Sequence, residues 1–229
     1  MTWKQVFTSS IGQKITMSLS GIFLILFLIV HVGVNACVWF NDGGEIFNRA
    51  ANFLGANAVP RVIEVGLFLF FILHIVQGYV LEAENRTKRN VPYAINYGNR
   101  GSRWYSRSMG LLGTLVLLFL IIHLIDFWIP SRFSKMPEVT LTGGKVVHNL
   151  YSLMQIRFQE LWIVIVYVLG CISLAYHLMH GFYSAFKTMG VYNKRYLILI
   201  RWCGYAFAII VPLVFAMMPI SFYLRYIQY

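Results

Sequence analysis

Gly170 to Gly190 reads GCISLAYHLMHGFYSAFKTMG and places a histidine inside an apolar run. On a helix, Gly181 lies one turn beyond His177, with Ser173 one turn and Gly170 two turns before it, all on one face. Small residues flanking an imidazole leave a slot. The same signature recurs in FFILHIVQGYVL, from Phe70 to Leu81, where His74 is followed at the same spacing by Gly78. Two helices therefore each offer a histidine beside a gap. A flat, apolar group held between two imidazoles needs that arrangement, and haem is the example that fits.

The rest of the chain supplies the setting. It has 229 residues, 59% of them hydrophobic and 12% charged, with a mean hydropathy of +0.66. That is too apolar for a water-soluble domain of this size. Five apolar runs, 15–40, 62–82, 109–129, 160–186 and 197–219, are long enough to cross a hydrocarbon core of about 30 Å. The expected fold is an all-α integral membrane protein, a single domain over 1–229 built as a bundle of five transmembrane helices. The first run is too long for a signal-peptide core, and Val34-Asn35-Ala36-Cys37 makes a poor lipoprotein cleavage site, so it reads as a retained helix. Cys37, Cys171 and Cys203 are scattered through apolar runs as small core residues, and no C-x-x-C-H motif is present. Any haem is therefore non-covalent.

The formal net charge is +11, and the distribution of the basic residues sets the topology. With the N-terminus inside, 12 of the 19 fall on the cytoplasmic side: Lys4, Lys14, Arg86, Lys88, Arg89, Arg100, Arg103, Arg107, Lys187, Lys194, Arg195 and Arg201. The bias predicts a cytoplasmic N-terminus, an outer C-terminus and a multi-pass protein of the inner (cytoplasmic) membrane. It also suits an acidic partner or anionic membrane lipid; nothing suggests nucleic acid.

Residues 1–14 read as an amphipathic lead-in. The first outer loop carries the helical-looking EIFNRAANFLG, and Pro60 opens the second span. Tyr93, Tyr97, Trp104 and Tyr105 in the next loop fit an interfacial belt. The third span has Gly110 and Gly113 for close helix approach and stops at Asp126, Trp128 and Pro130; Pro212 reads as a kink in the fifth.

Four of the six histidines lie inside spans, one on each of the first four helices: His31, His74, His123 and His177. Ionisable groups at membrane depth are costly and mark function. At about 1.5 Å per residue, His31 and His123 lie roughly 13 and 10 Å from the outer helix ends, and His74 and His177 roughly 12 and 15 Å from the inner ends. The four fall into two levels of two, as two stacked bis-imidazole sites require. His180 competes with His177 as the ligand on its helix, and the shared His-x-x-x-Gly pattern favours His177. His148 reads as polar loop surface.

With these residues in place the chain resembles the dihaem cytochrome b membrane subunit of succinate:quinone oxidoreductases, the succinate dehydrogenase and fumarate reductase family. The resemblance rests on Ser18-x-x-Gly21 ten residues before His31, Phe47-Asn48 in the first outer loop, His74 with Gly78, Gly113 ten residues before His123, and His177 with Gly181 and Gly190. It implies that His31 and His123 ligate an outer haem b, that His74 and His177 ligate an inner one, and that Ser18 sits beside an inner-haem propionate. It further implies two partner subunits on the cytoplasmic side, a flavoprotein with FAD and the dicarboxylate site and an iron-sulfur protein whose clusters feed the inner haem. The chain would anchor both and exchange electrons with a quinone, menaquinone or another, in a complex able to dimerise.

The resemblance is incomplete. Some dihaem fumarate reductases carry a glutamate two residues before the fourth-helix histidine, where Ala175 stands here. Quinone chemistry needs a proton donor or acceptor, and the outer-side candidates are Glu64, Asp126 and Glu160, with Asp126 also readable as a capping carboxylate. Two other readings stay open: a dihaem subunit of a hydrogenase, formate dehydrogenase or nitrate reductase, and a haem-free transporter or anchor. Against a transporter stand the near-absence of acidic groups at the midplane and a single interior proline.

Overall fold

The computed structural model describes residues 9–87 and 104–226. Most of the lead-in and Lys4, Lys88, Arg89, Tyr93, Tyr97, Arg100 and Arg103 lie outside the described residues. Five helical stretches are long and apolar enough to cross a membrane: Ser10–Phe40, Ala58–Thr87, Met109–Phe133, Leu161–Thr188 and Lys194–Tyr223.

Four of them run well past the apolar limits, because hydropathy marks the hydrocarbon layer whereas helical hydrogen bonding continues into the polar interface. Helix α1 covers Ser10–Ala36 and closes with a 3₁₀ turn, Cys37–Phe40. A short helix α2, Glu45–Ala56, is started by Asp42, whose carboxylate accepts from the N–H groups of Gly44 at 3.0 Å and Ile46 at 2.7 Å. Helix α3, Ala58–Thr87, ends in an Arg86–Glu82 pair at 2.7 Å, one turn apart, which extends it beyond residue 82.

After the one-turn helix α4, Trp104–Arg107, the third span is built in three pieces. Helix α5, Met109–His123, passes into a π-helical turn, Leu124–Trp128, and then into α6, Ile129–Phe133. The span therefore does not stop at Pro130. Proline falls at the start of α6, where its missing N–H leaves no interior bond broken.

The stretch expected as an outer loop is structured. Strands β1, Glu138–Thr140, and β2, Val146–His148, form an antiparallel hairpin that turns at Gly143 and Gly144 with φ of +100° and +82°. His148 lies exposed on β2. Helix α7, Leu150–Arg157, is capped by the Asn149 side chain accepting from the Ser152 N–H at 3.0 Å. Glu45 joins α2 to the hairpin; the Thr142 hydroxyl and then Arg49 hold its carboxyl below the usual carboxylate range. That link is present above the ordinary carboxylate range and is lost as pH falls through the folded-state pKa. Helices α8, Leu161–Thr188, and α9, Lys194–Tyr223, complete the set. Both Pro212 and Pro219 are interior to α9, which corrects the single interior proline read from the sequence.

By internal contacts the chain divides into two compact units. One comprises Met1–Phe27, Gly66–Thr114 and Ser173–Ile209; the other Leu28–Val65, Leu115–Ile172 and Ile210–Tyr229. The second has a dense apolar core of Val38, Phe47, Tyr151, Phe158, Ile163 and Phe222. In it Asn48, 2% exposed, donates to Asn149 Oδ1 at 3.0 Å and accepts from the Tyr151 N–H at 3.1 Å. The chain leaves large apolar side chains uncovered elsewhere. Along α3, Val62, Val65, Leu69, Ile72, Val76 and Tyr79 are 45–73% exposed at helical spacing. In water such a face would drive aggregation, and in hydrocarbon it is matched to its solvent.

Two sequence readings change. The cysteines are all free, but only Cys171 is buried, and Cys203 is exposed on α9. Tyr105 is also buried, its ring 6.4 Å from that of Tyr176, so of the described belt aromatics only Trp104 stays open.

Gly170 lies where α8 meets the Phe119 ring of α5, and a Cβ there would overlap that ring. Phe119 has little freedom to move, with the Tyr167 ring 5.1 Å and the His123 ring 5.9 Å away. Gly170→Ala gains about 1 kcal/mol of helix propensity against about 1–3 kcal/mol of overpacking. Overpacking outweighs propensity, so the thermal unfolding midpoint in detergent should fall; a rise would show that Phe119 yields freely.

Candidate functional site: two cross-helix imidazole pairs

In the first unit, His74 of α3 faces His177 of α8 with ring centroids 6.1 Å apart and planes at 63°. Glycine makes room for both rings. A Cβ on Gly21 would stand 3.4 Å from His74 Cε1, and one on Gly113 would stand 3.7 Å from His177 Cε1.

Ser20 sets the His74 tautomer. Its hydroxyl donates to the Met17 carbonyl at 3.0 Å and lies 3.2 Å from His74 Nδ1. A hydroxyl has one proton, so Ser20 accepts from Nδ1–H and the Nε2 lone pair is left for a metal. Ser18, assigned to the propionate side by resemblance, is 5% exposed on the same helix.

In the second unit, His31 of α1 faces His123 of α5 at 5.8 Å and 84°. Asn35 donates to the His31 carbonyl at 2.8 Å, and its amide lies 3.4 Å from His31 Nδ1, long for a hydrogen bond. His123 is ringed by Phe119, Phe127 and Tyr167 at 5.9, 5.6 and 6.1 Å. The Nδ1 atoms of His123 and His177 are buried without a hydrogen-bond partner. Such orphaned groups are rare and call for an explanation.

The donor sets limit what these pairs can hold. Among the described residues no three or more His, Cys, Asp or Glu side chains gather into a metal site. A bare ion needs about four protein ligands. Haem brings its own equatorial ligands and asks the protein for two axial ones. With a metal–nitrogen distance of about 2 Å, two imidazoles on one iron have centroids about 6 Å apart. The observed 5.8 and 6.1 Å match that spacing. Space is present too: a Cβ on half-buried Gly181 would meet nothing within 4 Å, and one on Gly78 only the Met17 methyl at 3.7 Å. The two glycines read as sites of close helix approach meet side chains, Gly110 lying against Glu82 and Gly113 against His177.

The three acidic candidates are not brought together. Glu64 accepts from Trp128 Nε1 at 2.6 Å and from Arg132 at 2.9 and 3.0 Å. Asp126, 4% exposed, accepts from Arg157 Nε at 2.8 Å on Oδ1 and from the Tyr167 hydroxyl at 2.9 Å on Oδ2. Glu160 is exposed at the start of α8, its backbone carbonyl accepting from Ile163 and Val164. His180 shares α8 with His177, but the ring that meets His74 is that of His177.

Sequence reasoning missed Ser20, Arg157 and Tyr167. Tyr167 carried a usable signal, a hydroxyl inside the apolar run IVIVYVLG, by the same logic that picked out the histidines. Comparison with known proteins gives no match: no family model, no curated protein and no solved structure is similar to this chain.

Proposed function

We propose that the chain is the membrane anchor and electron-transfer subunit of a succinate:quinone oxidoreductase, carrying two non-covalent b haems. The observation that carries the reading is the presence of two cross-helix imidazole pairs, one in each unit, at the spacing of axial ligands on one iron. His31 and His123 hold one haem and His74 and His177 the other. Bound haem supplies one-electron exchange at iron.

The protein's own part is to fix the imidazoles, through Ser20 at His74 and the aromatic collar at His123, and to keep water from the pairs. The basic residues orient the N-terminus to the cytoplasm, where a flavoprotein and an iron-sulfur protein dock and do the dicarboxylate chemistry. Electrons pass between the iron-sulfur protein and a membrane quinone.

The first test is haem content by pyridine haemochromogen assay on the purified membrane complex. Two b haems per chain are expected. One would break the pairing of four ligands, and none in intact complex would leave a transporter or plain anchor.

A further inference from the structure

We infer that the buried Asp126 carboxylate, held by the partly exposed Arg157 and the buried Tyr167, fixes the charge around His123 and so sets the reduction equilibrium of the haem on the His31–His123 pair. The inference rests on the haem reading above and gives Asp126 a role other than proton exchange with quinone.

Geometry separates the two roles. Both oxygens of the Asp126 carboxylate are engaged, Oδ1 by Arg157 and Oδ2 by the Tyr167 hydroxyl, and its side chain is 1% exposed. A quinone oxygen has no free face of this group to approach. Tyr167 is the bridge: its hydroxyl holds the carboxylate while its ring stands 6.1 Å from the His123 ring and 5.1 Å from those of Phe119 and Phe158.

The backbone is built to bring the carboxylate in. Asp126 sits within the π-helical turn Leu124–Trp128, which begins immediately after His123. Such turns are rare and concentrate at functional sites. Ferric iron carries one more positive charge than ferrous iron. A nearby fixed anion therefore favours the oxidised state and a fixed cation the reduced one; the carboxylate, 1% exposed, is little screened, and the guanidinium, 39% exposed, is screened more. Asp126 and Arg157 oppose each other, so removing either uncovers the other.

The test is a redox titration, followed by visible spectra, of the full complex carrying Asp126→Asn, Arg157→Gln or Tyr167→Phe. Asp126→Asn should raise the midpoint potential of one haem and Arg157→Gln should lower it. Each shift should be at least tenfold in the reduction equilibrium, about 59 mV for a one-electron couple, with the other haem unmoved. Tyr167→Phe keeps the ion pair but strips a donor from the carboxylate, so it should lower the same potential by less.

Two retained haems at wild-type potentials would overturn the inference, as would shifts of the same sign in Asp126→Asn and Arg157→Gln. If those two variants fail to assemble, Tyr167→Phe decides, and an unmoved potential overturns the proposal. A wild-type complex lacking two b haems overturns the haem reading itself, and that is read before any variant is made.

Discussion

Purified complex carrying His74→Ala or His177→Ala should hold one b haem per chain instead of two, and His31→Ala or His123→Ala should remove the other. The effect is large because the protein gives each iron only two ligands. Losing a group that merely hydrogen-bonds a metal ligand costs about 10–100-fold in metal affinity; losing the ligand must cost more. The same substitutions would also stop electron flow to quinone. His148→Ala and His180→Ala are the controls, since the imidazoles that face each other are His31 with His123 and His74 with His177. Haem content and redox-resolved spectra decide it. Four alanine variants that each kept two haems would remove the ligand assignment, whatever became of turnover.

The spans and the histidine pairing were legible because both depend on strong local signals. An apolar run of bilayer length has few alternatives, and four imidazoles at two depths on four helices leave only a few ways to meet. His177 meets His74 and His31 meets His123, which is the pairing that depth alone predicted. The supporting contacts were not legible. Ser20 and His74 are 54 residues apart, and Arg157 and Asp126 are 31 apart. No period in the sequence records which side chains converge over such distances.

The polar connection between the third and fourth spans was hidden for a different reason. Its strands are three residues each and α7 has eight, below the length at which periodicity declares itself. They are held by tertiary contacts such as Asn48 with Asn149 and Tyr151. The π-helical turn likewise has no compositional mark. Its nearest sequence sign was Pro130, which reads as a helix end, whereas the chain uses it to begin the next helical turn.

Gly181→Leu offers the sharpest separation of haem binding from folding. In the chain alone a Cβ at Gly181 meets nothing within 4 Å, although the residue is half-buried and one turn beyond His177. The β-carbon of a leucine there meets no other atom, and replacing an interior helical glycine gains about 1 kcal/mol of propensity. Apoprotein stability should therefore hold or rise. If the gap beside His177 is where the haem lies, the isobutyl group fills it, and the complex should drop from two b haems to one with all four histidines intact. Gly33→Leu on α1 is the matched control, since a Cβ there also meets nothing within 4 Å but the position is exposed and should keep both haems. The result is read from haem content alongside thermal unfolding of the same preparation. A stable Gly181→Leu protein with two haems would mean that the slot faces lipid, and the His-x-x-x-Gly pattern would then be a feature of helix packing. A stable protein with one haem would tie the pattern to the prosthetic group, because unchanged thermal unfolding would show that leucine at that position disturbs no protein packing.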